Sequence, residues 1–258
     1  MNTVCESTTH TVSPGTVLVT GSSRGIGRAI AMRLARDGYD LVLHCRSRLA
    51  EAEAVANEIE WLGGRARVLM FDVTDRAEAA RFLSDDIEAH GTYYGVVCNA
   101  GLSSGSAFQA MNGNDWDHAV HTNLDAFYNV LNPLVKPMVQ RRKAGRIVTL
   151  SAATGLAGDG AQTMQGAANA GIVGATKALA MELAKCHITC NCVAPGLIDT
   201  ALPGAGPGDK ARAVAMRAVP MQRVGTPADV AGLVAFLMRP EAGYITRQVI
   251  SVNGGMDS

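Results

Sequence analysis

Three closely spaced glycines near the start of the chain have the spacing of a phosphate-binding loop. Gly21, Gly25 and Gly27 lie in the stretch VLVTGSSRGIG, which covers 17–27. Between an apolar strand and an apolar helical pattern, such glycines permit a tight turn, close approach of the backbone to a phosphate and close packing of helix on strand. Free N–H groups and the positive end of the helix dipole would then hold a pyrophosphate. The alternative is a turn that binds nothing, but Arg24 and the absence of an acid in the loop favour phosphate.

The residues after the second predicted strand bear on the choice of nucleotide. An NAD-selective site commonly has Asp or Glu at the ribose hydroxyl in this region. Here 44–48 has the sequence HCRSR, without an acid. Arg24, Arg46 and Ser47 suit a 2′-phosphate, because guanidinium groups bind phosphate oxygens in a forked geometry. We therefore predict NADP(H), the alternative being that Arg46 and Arg48 form a solvated turn.

Composition and charge exclude several classes of protein. The 258 residues are 48% hydrophobic and 18% charged, with 23 basic and 23 acidic side chains, so no net charge attracts nucleic acid or an anionic membrane. Six cysteines form no C-x-x-C pair, and no His or carboxylate spacing completes a metal site around Cys190 and Cys192. Without a signal peptide or a bilayer-length apolar run, the chain is expected to be cytoplasmic and to bind no metal.

Strands and helices alternate along the chain, which predicts how these residues are positioned. The predicted strands are 17–19, 40–44, 67–71, 95–98, 146–150, 188–193 and 248–252. The predicted helices begin at Ile26 and cover 49–62, 75–90, 116–138, 165–186 and 227–238. This alternation predicts a Rossmann-type doubly wound parallel sheet with helices on both faces. We expect one domain over 15–258, after a flexible tail over 1–14.

Seven motifs, in order along nearly the whole chain, resemble the short-chain dehydrogenase/reductase family, and more narrowly its 3-oxoacyl-[acyl-carrier-protein] reductases. They are TGSSRGIG (20–27), DVTD (72–75), NAG (99–101), TNLDAFYN (122–129), GRIVTLSA (145–152), ITCNCVAPGLIDT (188–200) and ISVNGGM (250–256). The resemblance implies a role in fatty acid or polyketide biosynthesis. It also implies cofactor contacts in four groups. The phosphates would lie against Gly21, Ser23, Arg24, Gly25, Ile26 and Gly27; the adenine against Asp72 and Val73; the ribose against Asn99, Ala100 and Gly101; and the nicotinamide against Pro195, Gly196, Ile198 and Thr200.

The catalytic positions of the resembled family are largely replaced in this chain. The family uses Ser to bond the substrate carbonyl, Tyr to donate the proton, Lys to lower the Tyr pKa, and Asn to anchor a water. An ungapped alignment puts these roles at Ala152, Gln165, Asn169 and Asn123, so only Asn123 is retained. Ala152 has no donor, the Gln165 amide cannot release a proton, and Asn169 is neutral and short.

A few other side chains are candidates for a substitute proton donor. Ser151 is turned to the opposite strand face by alternation, and Thr154 in the following loop is a slightly better candidate. Tyr128 is expected in the core, and His118 and His121 on the surface. Tyr93 and Tyr94 precede the fourth strand, on the far side of the sheet.

The resemblance also implies partners. In the family, the helices matching 165–184 and 116–138 pack against a second subunit, usually in a tetramer. The basic run Arg141, Arg142 and Lys143 lies near where an acyl carrier protein docks in that family, although a solvated helix end explains the run equally well.

Three functions are compatible with these residues. The first is an NADP(H)-binding pseudo-reductase, in a homo-tetramer or in a mixed assembly with an active paralogue. The second is an active NADPH-dependent reductase of 3-oxoacyl thioesters or another carbonyl, with a different proton donor. The third is a non-redox enzyme on the same fold, since fold alone does not fix function.

Overall fold

The computed structural model describes residues 14–102, 105–200 and 216–256. Residues 1–13 of the predicted tail and residues 201–215, which follow Thr200, lie outside these ranges. Within them, the predicted class of fold is confirmed, because the chain forms one seven-stranded sheet in which every pair of neighbours is parallel.

The sheet has the strand order β3-β2-β1-β4-β5-β6-β7, so the order reverses between β1 and β4. Ligands of open α/β sheets bind outside the carboxyl ends of the strands at such a reversal. The strands are β1 (Thr16–Val19), β2 (Asp40–Cys45), β3 (Ala66–Met70), β4 (Gly95–Cys98), β5 (Gly145–Leu150), β6 (Ile188–Pro195) and β7 (Val249–Val252).

Helices cover both faces of the sheet and bury a separate apolar core on each. The helices are α1 (Gly25–Arg36), α2 (Leu49–Trp61), α3 (Arg76–His90), α4 (Gly113–Val120), α5 (Ala126–Gln140), α6 (Thr154–Ala157), α7 (Thr163–Leu183) and α8 (Pro227–Met238). The core under α1, α2 and α8 includes Leu34 and Val234, and the core under α3, α5 and α7 includes Leu134 and Ile147. These cores fix the strand ends from which the site is built.

The long helix predicted over 116–138 is two helices joined by a π-helical turn, His121–Asp125. The apolar periodicity continues through the turn, because the backbone on both sides of it stays helical. A π turn inserts one residue into the helical repeat and often marks a functional position. This one contains the buried Asn123.

The amino-terminal edge of the sheet is closed by aromatic and basic side chains. The hydroxyls of Tyr39 and Tyr94 both donate to the carbonyl of Met238, at 2.9 and 2.7 Å. The Arg141 guanidinium lies 5.9 Å from the centre of the Tyr94 ring. Tyr94 directly precedes β4, so the prediction that it lies away from the nucleotide side is confirmed.

Candidate functional site

A cleft of about 1430 Å³ lies along the carboxyl ends of the strands, at the reversal of strand order. Its lining includes every residue that the sequence assigned to the nucleotide and to the four catalytic positions. The fold therefore brings the two predicted groups of residues into one cleft.

The glycine loop connects β1 to α1 and has a backbone that requires glycine. Gly21 and Gly25 have φ of +65° and +55°, the left-handed region that favours glycine. A Cβ on Gly27 would lie 2.2 Å from the carbonyl oxygen of Gly21. No side chain caps the start of α1, and its first turn holds no acid, in contrast to α3, α4 and α8. Its first N–H groups are thus left for an anion.

Asn99 and Thr20 hold this loop against the end of β4. The Thr20 hydroxyl accepts the N–H groups of Asn99 and Ala100, each at 2.9 Å. The Asn99 amide in turn donates to the carbonyls of Thr20 and Gly21, at 2.9 and 3.2 Å. The resemblance assigned Asn99 to the ribose, and within the protein its side chain fixes the loop.

The ends of β2 and β3 form the first half of the cleft, with Arg24, Arg46, Ser47 and Arg48 in its lining. Arg48 forms an exposed ion pair with Glu51. Asp72, which follows β3, accepts hydrogen bonds from the backbone and hydroxyl of Thr74, both at 2.8 Å. This half of the cleft therefore combines three arginines with one carboxylate that is bound to its own turn.

No motif in the sequence assigns a role to His44, whose ring is almost completely buried in β2. Gly21 N–H donates to His44 Nδ1 at 3.2 Å, and Nε2 lies 2.9 Å from the carbonyl oxygen of Phe71. Burial lowers the pKa of His44 to about 4, against smaller opposing effects of the Phe71 carbonyl, Asp72 and Glu78. The ring is thus neutral at pH 7, with its proton on Nε2. In the sequence, the one sign that this histidine is buried is its place directly after three apolar residues of the strand.

The second half of the cleft contains Asn123 and the three replaced positions. Leu102 N–H donates to Asn123 Oδ1 at 2.8 Å, and Asn123 Nδ2 donates to Gln165 Oε1 at 3.1 Å. Gln165 Nε2 is buried and has no hydrogen-bond partner among the described residues. A chain of amide hydrogen bonds therefore ends in one unused donor.

Ala152 lies two residues after β5 and Asn169 lies on α7, and both line this half of the cleft. The Ser151 hydroxyl donates to the backbone carbonyl of Asn169 at 3.1 Å, so its proton is used to join the strand to the helix. Both Asn169 and Gln165 are less than a tenth exposed. Asp159 has the one acidic or basic side chain that the described residues contribute to this half of the lining.

Two of the substitute proton donors, Ser151 and Thr154, line the cleft, and the Ser151 proton is already used for the Asn169 carbonyl. Thr154 lines the cleft at the start of α6. Tyr128 was expected in the core, but it is 48% exposed, and the Arg76 guanidinium lies 4.9 Å from the centre of its ring. The prediction for Tyr128 is wrong because α5 turns that side chain outward. His121 is exposed as expected, with Nδ1 2.7 Å from the carbonyl oxygen of Asp117.

The Pro195–Thr200 segment closes the far end of the cleft. β6 continues to Pro195, two residues beyond the predicted end of the strand, and the carbonyl of Pro195 accepts Ala153 N–H at 3.0 Å. A proline can end this strand because its missing N–H is not needed there. Gly196, Ile198 and Thr200 follow in the lining.

The basic run Arg141–Lys143 lies at the opposite edge of the sheet from the cleft. It precedes β5, whereas the cleft lies beyond the carboxyl end of that strand. Arg141 Nη2 donates to the carbonyl of Ala144, and burial lowers the pKa of Arg141. The structure gives no support for acyl carrier protein docking here, because a carrier bound at this edge would face away from the cleft.

Two further properties bear on the kind of site. Within 14–102, 105–200 and 216–256, no three His, Cys, Asp or Glu side chains group as metal ligands. In the same ranges, none of the helices combines the length and the apolar character that a membrane span requires.

Known proteins resemble this chain over nearly its whole length. A family model described as Enoyl-(Acyl carrier protein) reductase matches residues 21–257. A protein named 3-oxoacyl-[acyl-carrier-protein] reductase FabG in Aggregatibacter actinomycetemcomitans is 57% identical over 242 residues, which cover 93% of this chain and 98% of that protein. Proteins of the same name in Chlamydia muridarum and Staphylococcus aureus (strain Mu50) are 37% and 36% identical over 243 and 239 residues. In each case 93% of this chain and 96% of the relative are covered. The chain belongs to the short-chain dehydrogenase/reductase family and is a homologue of its 3-oxoacyl-[acyl-carrier-protein] reductases.

Proposed function

We propose that this chain is an NADP(H)-binding pseudo-reductase, which retains the nucleotide site of its reductase relatives and has lost their means of delivering a proton. The observation that carries the proposal is the chemistry of the second half of the cleft. There the positions of the family's Ser, Tyr and Lys hold Ala152, Gln165 and Asn169, beside the retained Asn123.

The residues of the cleft fit a dinucleotide phosphate. Gly27 lets α1 pack directly against the Gly21 carbonyl, and the uncapped start of α1 offers N–H groups to a pyrophosphate. Arg24 and Arg46 would hold a 2′-phosphate, which favours NADP(H) over NAD(H). The unused Gln165 Nε2 also fits a ligand, because leaving such a buried donor unpaired costs about 1–3 kcal/mol.

Proton transfer is the step that these residues do not support. When bound, the cofactor supplies or accepts a hydride; the proton for the carbonyl oxygen must come from the chain or from water. Gln165 can donate a hydrogen bond to that oxygen but cannot ionise. A positioned acid contributes roughly 10²–10⁴ in rate, and one donor to the developing oxyanion about 10²–10³. The side chain at 152 supplies no such donor, and Asn169 carries no charge to adjust an acid.

The proposed role is then one of assembly or nucleotide sensing. A folded homologue that binds nucleotide without turnover can act as a subunit of a homo-tetramer, or of a mixed tetramer with an active reductase. The exposed face of α7 supports association, since Ala170, Gly174 and Ala178 let a second backbone approach closely.

An active reductase is the second candidate, favoured by the 57% identity over 93% of this chain to a protein named as a 3-oxoacyl-[acyl-carrier-protein] reductase. Such an enzyme would reduce a 3-oxoacyl thioester with a proton from water, from Thr154 or from outside the described residues. Its pH–rate profile would then report the pKa of that donor.

The two candidates are separated by restoring the missing groups. NADPH binding is measured by its fluorescence, and NADPH oxidation with a short 3-oxoacyl thioester, for the unmodified chain and for Ala152→Ser/Gln165→Tyr/Asn169→Lys. A matched control replaces Gln165→Tyr by Gln165→Phe in the same triple variant, because Phe fills the space of Tyr without its hydroxyl.

The pseudo-reductase proposal expects binding without turnover in the unmodified chain. It also expects oxidation gained in the Tyr variant, with roughly 10²-fold less in the Phe control. Turnover by the unmodified chain equal to that of the Tyr variant would support the active enzyme instead. If the unmodified chain did not bind NADPH, both candidates would be contradicted.

A further inference from the structure

A single buried imidazole joins the glycine loop to the other wall of the nucleotide cleft. His44 is 1% exposed and lies in β2, one residue before the end of that strand. Its Nδ1 accepts the N–H of Gly21, and its Nε2 donates to the carbonyl of Phe71. The ring lies 4.3 Å from that of Phe71, centre to centre. Three segments of the chain therefore meet at this side chain.

The backbone of His44 holds the next residue of the loop. Ser22 N–H donates to the carbonyl of His44 at 3.0 Å, and the Ser22 hydroxyl lies 3.4 Å from the same oxygen. Two consecutive residues of the loop are thus fixed by one histidine. Gly21 is also the residue whose φ of +65° starts the turn.

The tautomer of His44 follows from its partners. Gly21 N–H needs an acceptor and the carbonyl of Phe71 needs a donor, so the proton lies on Nε2 and Nδ1 carries a lone pair. Protonation would put a second N–H opposite Gly21 N–H, and two donors repel. The fixed shape of the loop therefore requires the neutral ring.

We propose that His44 is a positioning residue for nucleotide binding, which holds Gly21 in its phosphate-binding conformation through Nδ1. It also joins the loop to Phe71, the residue before Asp72 on the adenine side. The inference rests on the proposed nucleotide site and adds to it a residue that makes no contact with phosphate itself.

Burial and the carboxylates near the ring act on the pKa of His44 in opposite directions. Asp72 and Glu78, on the β3–α3 side, favour a protonated ring. Arg24 on the loop and Arg46 after β2 line the same cleft. Burial exceeds the effect of the two carboxylates and lowers the pKa of His44 to about 4. Between pH 6 and pH 8 the positioning is thus expected to be constant.

Two variants separate the hydrogen bonds of the ring. In His44→Asn the side-chain oxygen lies near the place of Nδ1 and can accept Gly21 N–H. In His44→Gln the amide reaches the place of Nε2 and can donate to Phe71, but it leaves Gly21 unpaired. Affinity for NADP⁺ is measured by isothermal titration calorimetry at pH 7, with circular dichroism as the check on folding.

His44→Asn is expected to keep the affinity within about threefold, and His44→Gln to weaken it about tenfold, the effect of one lost hydrogen bond. Equal affinities of the two variants would overturn the inference while leaving the nucleotide site in place. No binding by the unmodified chain would overturn both.

A second measurement does not depend on any variant folding. In the unmodified chain, the ¹⁵N shifts of the His44 ring are expected to show a protonated Nε2 and an unprotonated Nδ1 from pH 6 to pH 8. A ring that is protonated on Nδ1, or that titrates near pH 6.5, would contradict the proposed hydrogen bond to Gly21.

Discussion

At the scale of single residues, the two halves of the cleft differ in charge. Arg24, Arg46 and Arg48 line the first half, while Asp159 has the one acidic or basic side chain among the described residues of the second half. Asn169 is the position at which the resembled family carries a cation. An oxidised nicotinamide bears a positive charge that the reduced ring does not. The proposed site should therefore accept the oxidised cofactor with little electrostatic cost.

Restoring the cation should change the preference for redox state. Asn169→Lys is expected to weaken NADP⁺ relative to NADPH by about threefold or more, because two positive charges a few ångströms apart repel even near a surface. Separate titrations of the two nucleotides give the ratio of their dissociation constants. Asn169→Met is the matched control, since it adds length without charge. An equal ratio in the Lys and Met variants would show that the ring is bound elsewhere.

The buried His44 should make stability depend on pH in a defined window. Unfolded histidine has a pKa near 6.5, and the folded value is about 4. Above pH 6.5 neither state is protonated, so the group contributes no slope. As the pH falls below 6.5, His44 gains a proton in the unfolded state but not in the folded state. Stability is therefore lost down to about pH 4.

Urea unfolding at pH 7 and pH 5 measures this effect. The unmodified chain should lose about 2 kcal/mol more than His44→Asn between the two pH values. The comparison cancels the contribution of carboxylate titration to the loss of stability, because both proteins contain the same carboxylates. Identical losses in the two proteins would mean that the folded ring takes up its proton as readily as the unfolded one.

At the scale of elements, the seven strands were predictable to within two residues at their ends, because the apolar pattern of each strand is local. The β4 bounds, 95–98, and the α8 bounds, 227–238, match the predicted ones. The π turn at His121–Asp125 was not predicted, because apolar periodicity does not register one extra residue in a helix that continues on both sides. The bridging role of His44 depends on Gly21 and Phe71, which are 23 and 27 residues away. No spacing in the sequence indicates such a contact.

The loop between β1 and α1 provides the element-scale test of the nucleotide cradle. In Gly27→Ala the new methyl would lie 2.2 Å from the Gly21 carbonyl, so either the loop or the helix must move. We expect a loss of about 1–3 kcal/mol in unfolding free energy, together with a loss of NADP⁺ affinity. Calorimetry and urea unfolding measure the two effects.

Gly232→Ala in α8 is the matched control, because nothing lies within 4 Å of the added methyl. A helical Gly→Ala exchange in open space stabilises by about 0.5–1 kcal/mol. Nucleotide affinity should be unchanged there. If Gly27→Ala behaved like this control, the close packing of the loop on α1 would not be needed for binding.

At the scale of the whole molecule, α7 presents an exposed face of mostly small side chains, which also includes Lys177. Ala170, Gly174 and Ala178 lie along it, and Met181 at its end is 62% exposed. Small side chains on a helix permit a short distance between helix axes. This face lies on the same helix as Gln165 and Asn169, so association through it would also brace the second half of the cleft.

A charge on this face should break the assembly without disturbing the subunit. A Cβ on Gly174 meets nothing within 4 Å, so Gly174→Arg has no neighbour to displace inside its own chain. Light scattering on the unmodified chain should give a multiple of the 26.9 kDa chain mass, and Gly174→Arg should lower it. Ala54→Arg on the exposed side of α2 is the matched control and should keep the larger mass.

An unmodified chain that runs as a monomer alone, but associates with an active relative through the same face, would favour the mixed assembly. A larger mass that survives Gly174→Arg would move the interface away from α7.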